Sequence, residues 1–171
     1  MYKKILVPLD GSELAECVLP HVETVAKGCG SENVTFVRVV EPFYIPINAD
    51  EGYNFSARDW TRIENESKAM ASNYLNQLVK KIKYDGVEIK GVILSGKAPE
   101  QIADYAARNG IDLIIIATHG RSGVNRLVFG SVADKVLHTA GVPVLMIQAP
   151  GGCKTEVQSG ETAVKVKEKV T

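Results

Sequence analysis

Short runs of consecutive apolar residues alternate along this chain with longer stretches in which apolar positions recur every three or four residues. The short runs are Ile5-Leu6-Val7, Val34–Val40, Val87–Leu94, Leu113–Ala117 and Pro143–Ile147. The first and fourth are unbroken apolar runs and the second is rich in β-branched side chains, which suits strands buried in a sheet. After Ser12, which suits a helix cap, Leu14, Val18, Val22 and Val25 recur at helical spacing. Pro20 removes a donor within this stretch and predicts a kink, and Gly28-Cys29-Gly30 ends it. Trp60, Ile63, Met70, Tyr74, Leu78 and Ile82 mark one face of a long helix and read as core, with Ser56 and Asp59 resembling a capping box at its start. Pro99 suits the first turn of another helix, carried by Ile102, Ala103, Ala106 and Ala107 to Gly110. Ser131 opens a last helix that runs through His138.

Strands that alternate with helices imply a parallel sheet covered on both faces. The most apolar strands belong at its centre, which predicts five strands in the order 3-2-1-4-5, an open Rossmann-like α/β fold. The topology reverses between strands one and four. Ligands bind such sheets in the crevice at the strands' C-terminal ends, here Asp10-Gly11-Ser12 and Thr118-His119-Gly120. Residues 41–58 lack a period, hold Pro42, Pro46 and Gly52, and read as a long functional loop. One domain is expected over residues 1–149, with a tail at 150–171. In the tail, Thr162, Val164 and Val166 alternate with Ala163, Lys165 and Lys167. Either it is a solvated extension or it adds a strand at a sheet edge.

Composition narrows the class. The 171 residues are 45% hydrophobic, enough for an ordinary core, and their 20 basic and 20 acidic side chains cancel. Bulk attraction to nucleic acid or to an anionic membrane is therefore not expected. Cys17, Cys29 and Cys153 form neither a disulfide framework nor a C-x-x-C zinc pair. No apolar run is long enough to cross a bilayer, and the N-terminal Met-Tyr-Lys-Lys runs straight into a strand. The expected setting is the cytoplasm, with reduced thiols.

The strongest local feature is the segment from Gly120 to Ser131. Gly120, Gly123 and Gly130 let main-chain amides approach a ligand closely, and Arg121 and Arg126 add positive charge. Ser131 stands at a helix start, where unpaired N–H groups favour an anion. The spacing is neither a Walker loop nor a dinucleotide fingerprint. The segment thus reads as a phosphate cradle, or as an ordinary glycine-rich loop into a helix capped by Ser131 and Asp134. Asp10 either serves a ligand at the switch point or bonds the amides of its own turn. His119 suits a phosphate contact, a general acid or a structural hydrogen bond. His21 and His138 lie in helices at no metal-ligand spacing.

The segment Asp112–Val144 resembles the signature of the universal stress protein family, whose ATP-binding members carry Gly-x2-Gly-x9-Gly-Ser/Thr. Gly120, Gly130 and Ser131 match its last three fixed positions, and Ala117 replaces the first glycine. The likeness extends to Lys3–Glu13, Val39-Val40-Glu41 and Gly96–Ile102, and spans about residues 2–148. The resemblance implies ATP as ligand, with Mg2+ or Mn2+ on its phosphates. It places Asp10 beside the adenosine and the main chain of Val39 at the adenine edge. Gly120, Gly130 and Ser131 would meet the phosphates, with Ala117, His119, Arg121, Gly123 and Val132 around them. It implies a homodimer through the edge strand 144–147.

No base for activating water is evident, so a nucleotide-binding regulatory module is favoured, with hydrolysis at most slow. The alternatives are a nucleotide-free interaction protein of the same fold, or a weak ATPase or autophosphorylating enzyme.

Overall fold

The computed structural model describes residues 1–42, 57–119 and 130–149, apart from the side chains of residues 57–60 and 119. Most of the 41–58 loop, including Ser56, and the whole 150–171 tail with its alternating 161–167 segment lie outside this description.

The elements run β1 (Lys4–Pro8), α1 (Glu13–Glu16), α2 (Leu19–Cys29), β2 (Asn33–Val40), α3 (Ala57–Lys81), β3 (Glu88–Ser95), α4 (Ala98–Asn109), β4 (Leu113–His119), α5 (Ser131–Thr139) and β5 (Val144–Ala149). The five strands form one parallel sheet in the expected order β3-β2-β1-β4-β5. Among the described residues no helix is long and apolar enough to cross a membrane.

Period-two alternation splits the sheet residues between two cores. Ile5, Val7, Phe36 and Ile115 pack with α1–α3 through Val18, Val22, Leu75 and Leu78. Leu6, Val37, Ile114 and Ile116 pack with α4 and α5 through Ile102, Ala106, Ala133 and Val136. Both faces are therefore buried, which is why β1 and β4 read as unbroken apolar runs.

Three local expectations are corrected. Pro20 does not kink one long helix; two helices form, and Pro20 occupies the first turn of α2, where a missing donor is harmless. Met70 is 62% exposed rather than core, because the buried stripe of α3 is Ala71, Leu75 and Leu78, one residue around the helix. β4 continues through Thr118 and His119, which were expected in the loop. The end of α4 is as expected. Gly110 takes the left-handed conformation with φ of 61° that a side chain disfavours there.

Two tests follow. Phe36 is fully buried between the sheet and the α2–α3 layer. Phe36→Ala is expected to destabilise the fold by about 3–5 kcal/mol in urea unfolding, as a cavity at a packed aromatic does; a loss within error of zero contradicts the packing.

Tyr84 is also buried, and its hydroxyl donates to the Leu19 carbonyl at 3.3 Å. Burial first, and then the charge of Glu23, push its pKa up to about 12. The folded state thus holds this proton more tightly than the unfolded chain. Its contribution is complete below the ordinary tyrosine pKa of about 10 and is lost as pH rises to about 12. Unfolding midpoints should fall across that window and fall less in Tyr84→Phe.

Candidate functional site

The site begins with a proline. The amides of Leu9 and Asn33 bond the carbonyls of Val37 and Lys3, so odd-numbered residues of β1 face β2. Asp112 bonds the Lys4 carbonyl, so even-numbered residues face β4. Pro8 falls on the β4 side and has no N–H to give. The β1–β4 register runs Ile5↔Leu113 and Leu6↔Ile114 and stops there. On the other side, the β1–β2 ladder ends at Pro8↔Val37. β2 continues through Arg38, Val39 and Val40, and β4 through Ala117, Thr118 and His119. The central strand is therefore shorter than both neighbours, and a notch opens at the switch point.

The notch exposes main chain. Val40 turns its carbonyl to β3, where the Gly96 amide bonds it at 3.1 Å. By alternation, the N–H and C=O of Val39 point the other way, into the space that β1 has vacated. The β1–β2 register has already ended there, at Pro8↔Val37. Beside them Asp10 is exposed, and its Oδ1 accepts from the Ser12 amide at 2.8 Å and the Ser12 hydroxyl at 2.6 Å. Ser12 Oγ in turn accepts from the Ala15 amide and caps α1. Asp10 thus does bond its own turn, while its carboxylate remains at the rim of the notch.

Besides α1, two helices begin at this rim, and they differ. The first turn of α4 receives a carboxylate, since the Ala98 amide donates to Glu41 Oε1 at 2.9 Å. α5 has Gly130 as its N-cap and, among the described residues, no side-chain cap. Ser131 is its first helical residue, so the expected Ser131–Asp134 capping box does not form. The Asp134 amide bonds the Gly130 carbonyl instead. The amides of the first turn ahead of it have no intrahelical acceptor, and they carry the positive end of the helix dipole.

Together these elements enclose a cleft of about 200 Å3, walled mainly by apolar groups including Leu14, Val37, Ile102 and Ile116. Of the residues singled out in the sequence, Asp10, Val39, Ala117, Gly130, Ser131 and Val132 all line it. The Ala117 methyl also packs against the core on the α1–α3 face. His119 ends β4, and Gly120, Arg121 and Gly123 lie outside the described residues. A larger open groove of about 710 Å3 continues past Ser131 and Val132 between α4 and α5.

Sequence reading missed the walls, Leu14, Ala15, Ala98, Ile102 and Ile116, although Ala98 and Ile102 fall in the Gly96–Ile102 stretch already noted. It also missed Pro8, whose signal is a proline closing an apolar run that the pattern places at the sheet centre. Among the described residues no three His, Cys, Asp or Glu side chains come together to hold a metal.

A parallel, doubly wound sheet with a cleft at its switch point defines an α/β protein of the Rossmann-like class. More closely, the chain belongs to the universal stress protein family, whose model matches residues 1–148. It is 30% identical over 156 residues to Universal stress protein MJ0577 of Methanocaldococcus jannaschii, covering 86% of this chain and 96% of that one. The solved MJ0577 structure superposes with a TM-score of 0.70 at 28% identity, covering 89% of this chain and 99% of that one. Two more distant structures share the fold. One is a universal stress protein in complex with cAMP (TM-score 0.63, 17% identity, 87% and 99% coverage). The other is a family protein of Arabidopsis thaliana with AMP bound (TM-score 0.59, 17% identity, 87% and 93% coverage).

Proposed function

We propose that the cleft binds an adenine nucleotide, ATP with a divalent cation on its phosphates, and that the protein is a nucleotide-dependent regulatory module of the stress response. The observation that carries this reading is the main chain of Val39, which lines the cleft beyond the last residue of β1 paired to β2. An N–H beside a C=O complements the adenine edge, where an acceptor nitrogen adjoins an amino donor. The guanine edge presents a donor and a carbonyl in those places, and would leave both partners unsatisfied. The apolar walls suit the flat base, and Asp10 suits a donor on the nucleoside.

The start of α5, where the N-cap Gly130 brings no side chain, suits the phosphates, with Ser131 offering its amide and hydroxyl. Gly120 and Gly130 would add main-chain amides, with His119, Arg121, Gly123 and Val132 around them. The cation, Mg2+ or Mn2+, enters in this reading as the counter-ion of the phosphates, because the described carboxylates form no cage for it. The AMP and cAMP held by two proteins of the same fold support the ligand class. Ser12 already engages Asp10 Oδ1 twice, so this carboxylate serves as a fixed acceptor rather than a base, and hydrolysis is at most slow. The proposed setting is the cytoplasm.

Calorimetric titration with ATP and magnesium should give saturable, micromolar-range binding, with GTP weaker by about tenfold or more. Ser131→Ala and Gly130→Val should each weaken ATP by a comparable factor. Equal affinity for GTP, or unchanged affinity in both variants, would rule out this assignment of the cleft.

The same proposal includes a homodimer. β5 is an edge strand, and Leu145 on it is 36% exposed. An uncovered apolar edge invites pairing, and a two-fold mate would cover it. Light scattering should report twice the chain mass, and Leu145→Lys should shift it towards the monomer. A monomeric mass for the unaltered protein at high concentration counts against the dimer.

A further inference from the structure

One charged side chain interrupts the apolar run of β2. Arg38 lies on the same face as Phe36, turned away from the cleft towards α3. There its guanidinium carbon stands 5.4 Å from the centroid of the Tyr74 ring, a stacking distance for a cation on an aromatic face. The same guanidinium packs against Gly11. A Cβ at Gly11 would meet Nη1 at 2.9 Å, Cζ at 3.2 Å and Nη2 at 3.5 Å. Gly11 also has φ of +84°, which strains any side chain there, and a Cβ would displace the guanidinium. None of the ion pairs among the described residues involves Arg38, so stacking and packing set its place.

The contacts continue on either side of Arg38. Gly11 is the centre of the turn whose ends Asp10 and Ser12 tie together. The Tyr74 hydroxyl donates to Glu16 Oε1 at 2.9 Å, in the helix that Ser12 caps. Burial first, and then the charges of Glu16 and Asp10, hold that phenol well above its ordinary range, with Arg38 pulling the other way. Tyr74 is therefore a protonated donor at all ordinary pH. Arg38, Tyr74 and Glu16 thus brace the Asp10–Ser12 turn from the face of the sheet opposite α4 and α5.

We propose that Arg38 is a positioning residue of the nucleotide site: laid against Gly11 and stacked on Tyr74, it holds the turn that presents Asp10 to the nucleoside. This rests on the adenine-nucleotide reading of the cleft. A glycine-centred turn is mobile by nature, and fixing it before the ligand arrives removes an ordering cost from binding. The planar guanidinium is suited to this, and an ammonium is not.

A double-mutant cycle separates positioning through Asp10 from general support. ATP with magnesium is titrated against the full chain, Arg38→Met, Asp10→Asn and the double variant. Arg38→Met should weaken binding about tenfold alone and less than about twofold in the Asp10→Asn background. Arg38→Lys should not restore it. Equal losses in both backgrounds overturn the proposal, as does full affinity in Arg38→Lys.

Amide exchange of the ligand-free protein keeps this apart from the ligand assignment. Arg38→Met should speed exchange at Ser12 about tenfold while leaving the β4 amides unchanged. Unchanged exchange at Ser12 overturns the brace, whatever binds. Absence of ATP binding to the unaltered protein, with faster Ser12 exchange in Arg38→Met, overturns the nucleotide reading and leaves the brace standing. If Arg38→Met fails to fold, Tyr74→Leu removes the stacking surface and carries the same cycle.

Discussion

The cleft exists because the central strand stops early. In a parallel sheet each residue faces one neighbour with its N–H and C=O, and Pro8 falls where β4 requires a donor. The ladder to β4 is gone by that point, and the ladder to β2 ends with the carbonyl of Val37 taken by Leu9. Both neighbours run on past its end, each still paired on its outer side. Unpaired main chain inside a folded protein is costly unless it meets water or a ligand, so the notch has to stay open to one or the other. The buried layers on either face keep it from collapsing. Ile5, Val7, Phe36 and Ile115 anchor one side and Leu6, Val37, Ile114 and Ile116 the other, so the strand ends cannot slide to close the gap.

Electrostatics then gives the notch a direction. Three helix starts face its rim, and a helix start concentrates partial positive charge. Ser12 caps α1, and Glu41 meets α4 with a carboxylate supplied by the chain itself. At α5 the N-cap is Gly130, and among the described residues no side chain caps it. Among these described groups α5 is the start left for an anion, beside an apolar pocket and an acceptor carboxylate, Asp10. A molecule with a flat polar-edged base at one end and negative charge at the other matches that order of surfaces.

The strand order was legible because burial on both faces forces the central strands into unbroken apolar runs, and the order found sets Leu113–Ile116 beside Ile5–Val7 at the centre. Helix ends marked by glycine were legible for the same local reason, as at Gly110. What the pattern misjudged were matters of a single residue's rotation or phase. Met70 and Ala71 differ by one position on α3, and helical spacing alone does not say which of them meets the sheet. Pro20 reads as a break in either helix position, and only the turn at Cys17-Val18 decides that it starts a helix instead. Ser131 looked like a cap because serine often is one, yet Gly130 holds that place. The walls of the cleft were harder still. Leu14, Ile102 and Ile116 are ordinary core residues by sequence, and only the early end of β1 turns part of their surface towards a ligand.

A site read through main chain would tolerate wide sequence drift. A relative with 28% identity keeps the fold at a TM-score of 0.70. The notch asks of most positions only that they be small or apolar, since Val39 offers its backbone and the start of α5 offers amides. Ala117 illustrates the margin. Its methyl packs against the α1–α3 core while its residue still lines the cleft across from Val39. The extra carbon therefore tightens the wall on the α1 side and leaves the main-chain pair of Val39 untouched. Side chains matter more where the chain must be held in an unusual shape, and that falls to the turn after Pro8. Arg38 and Val39 are neighbours on one strand, one facing α3 and the other lining the cleft, so the proposed brace and the proposed recognition edge share one paired strand.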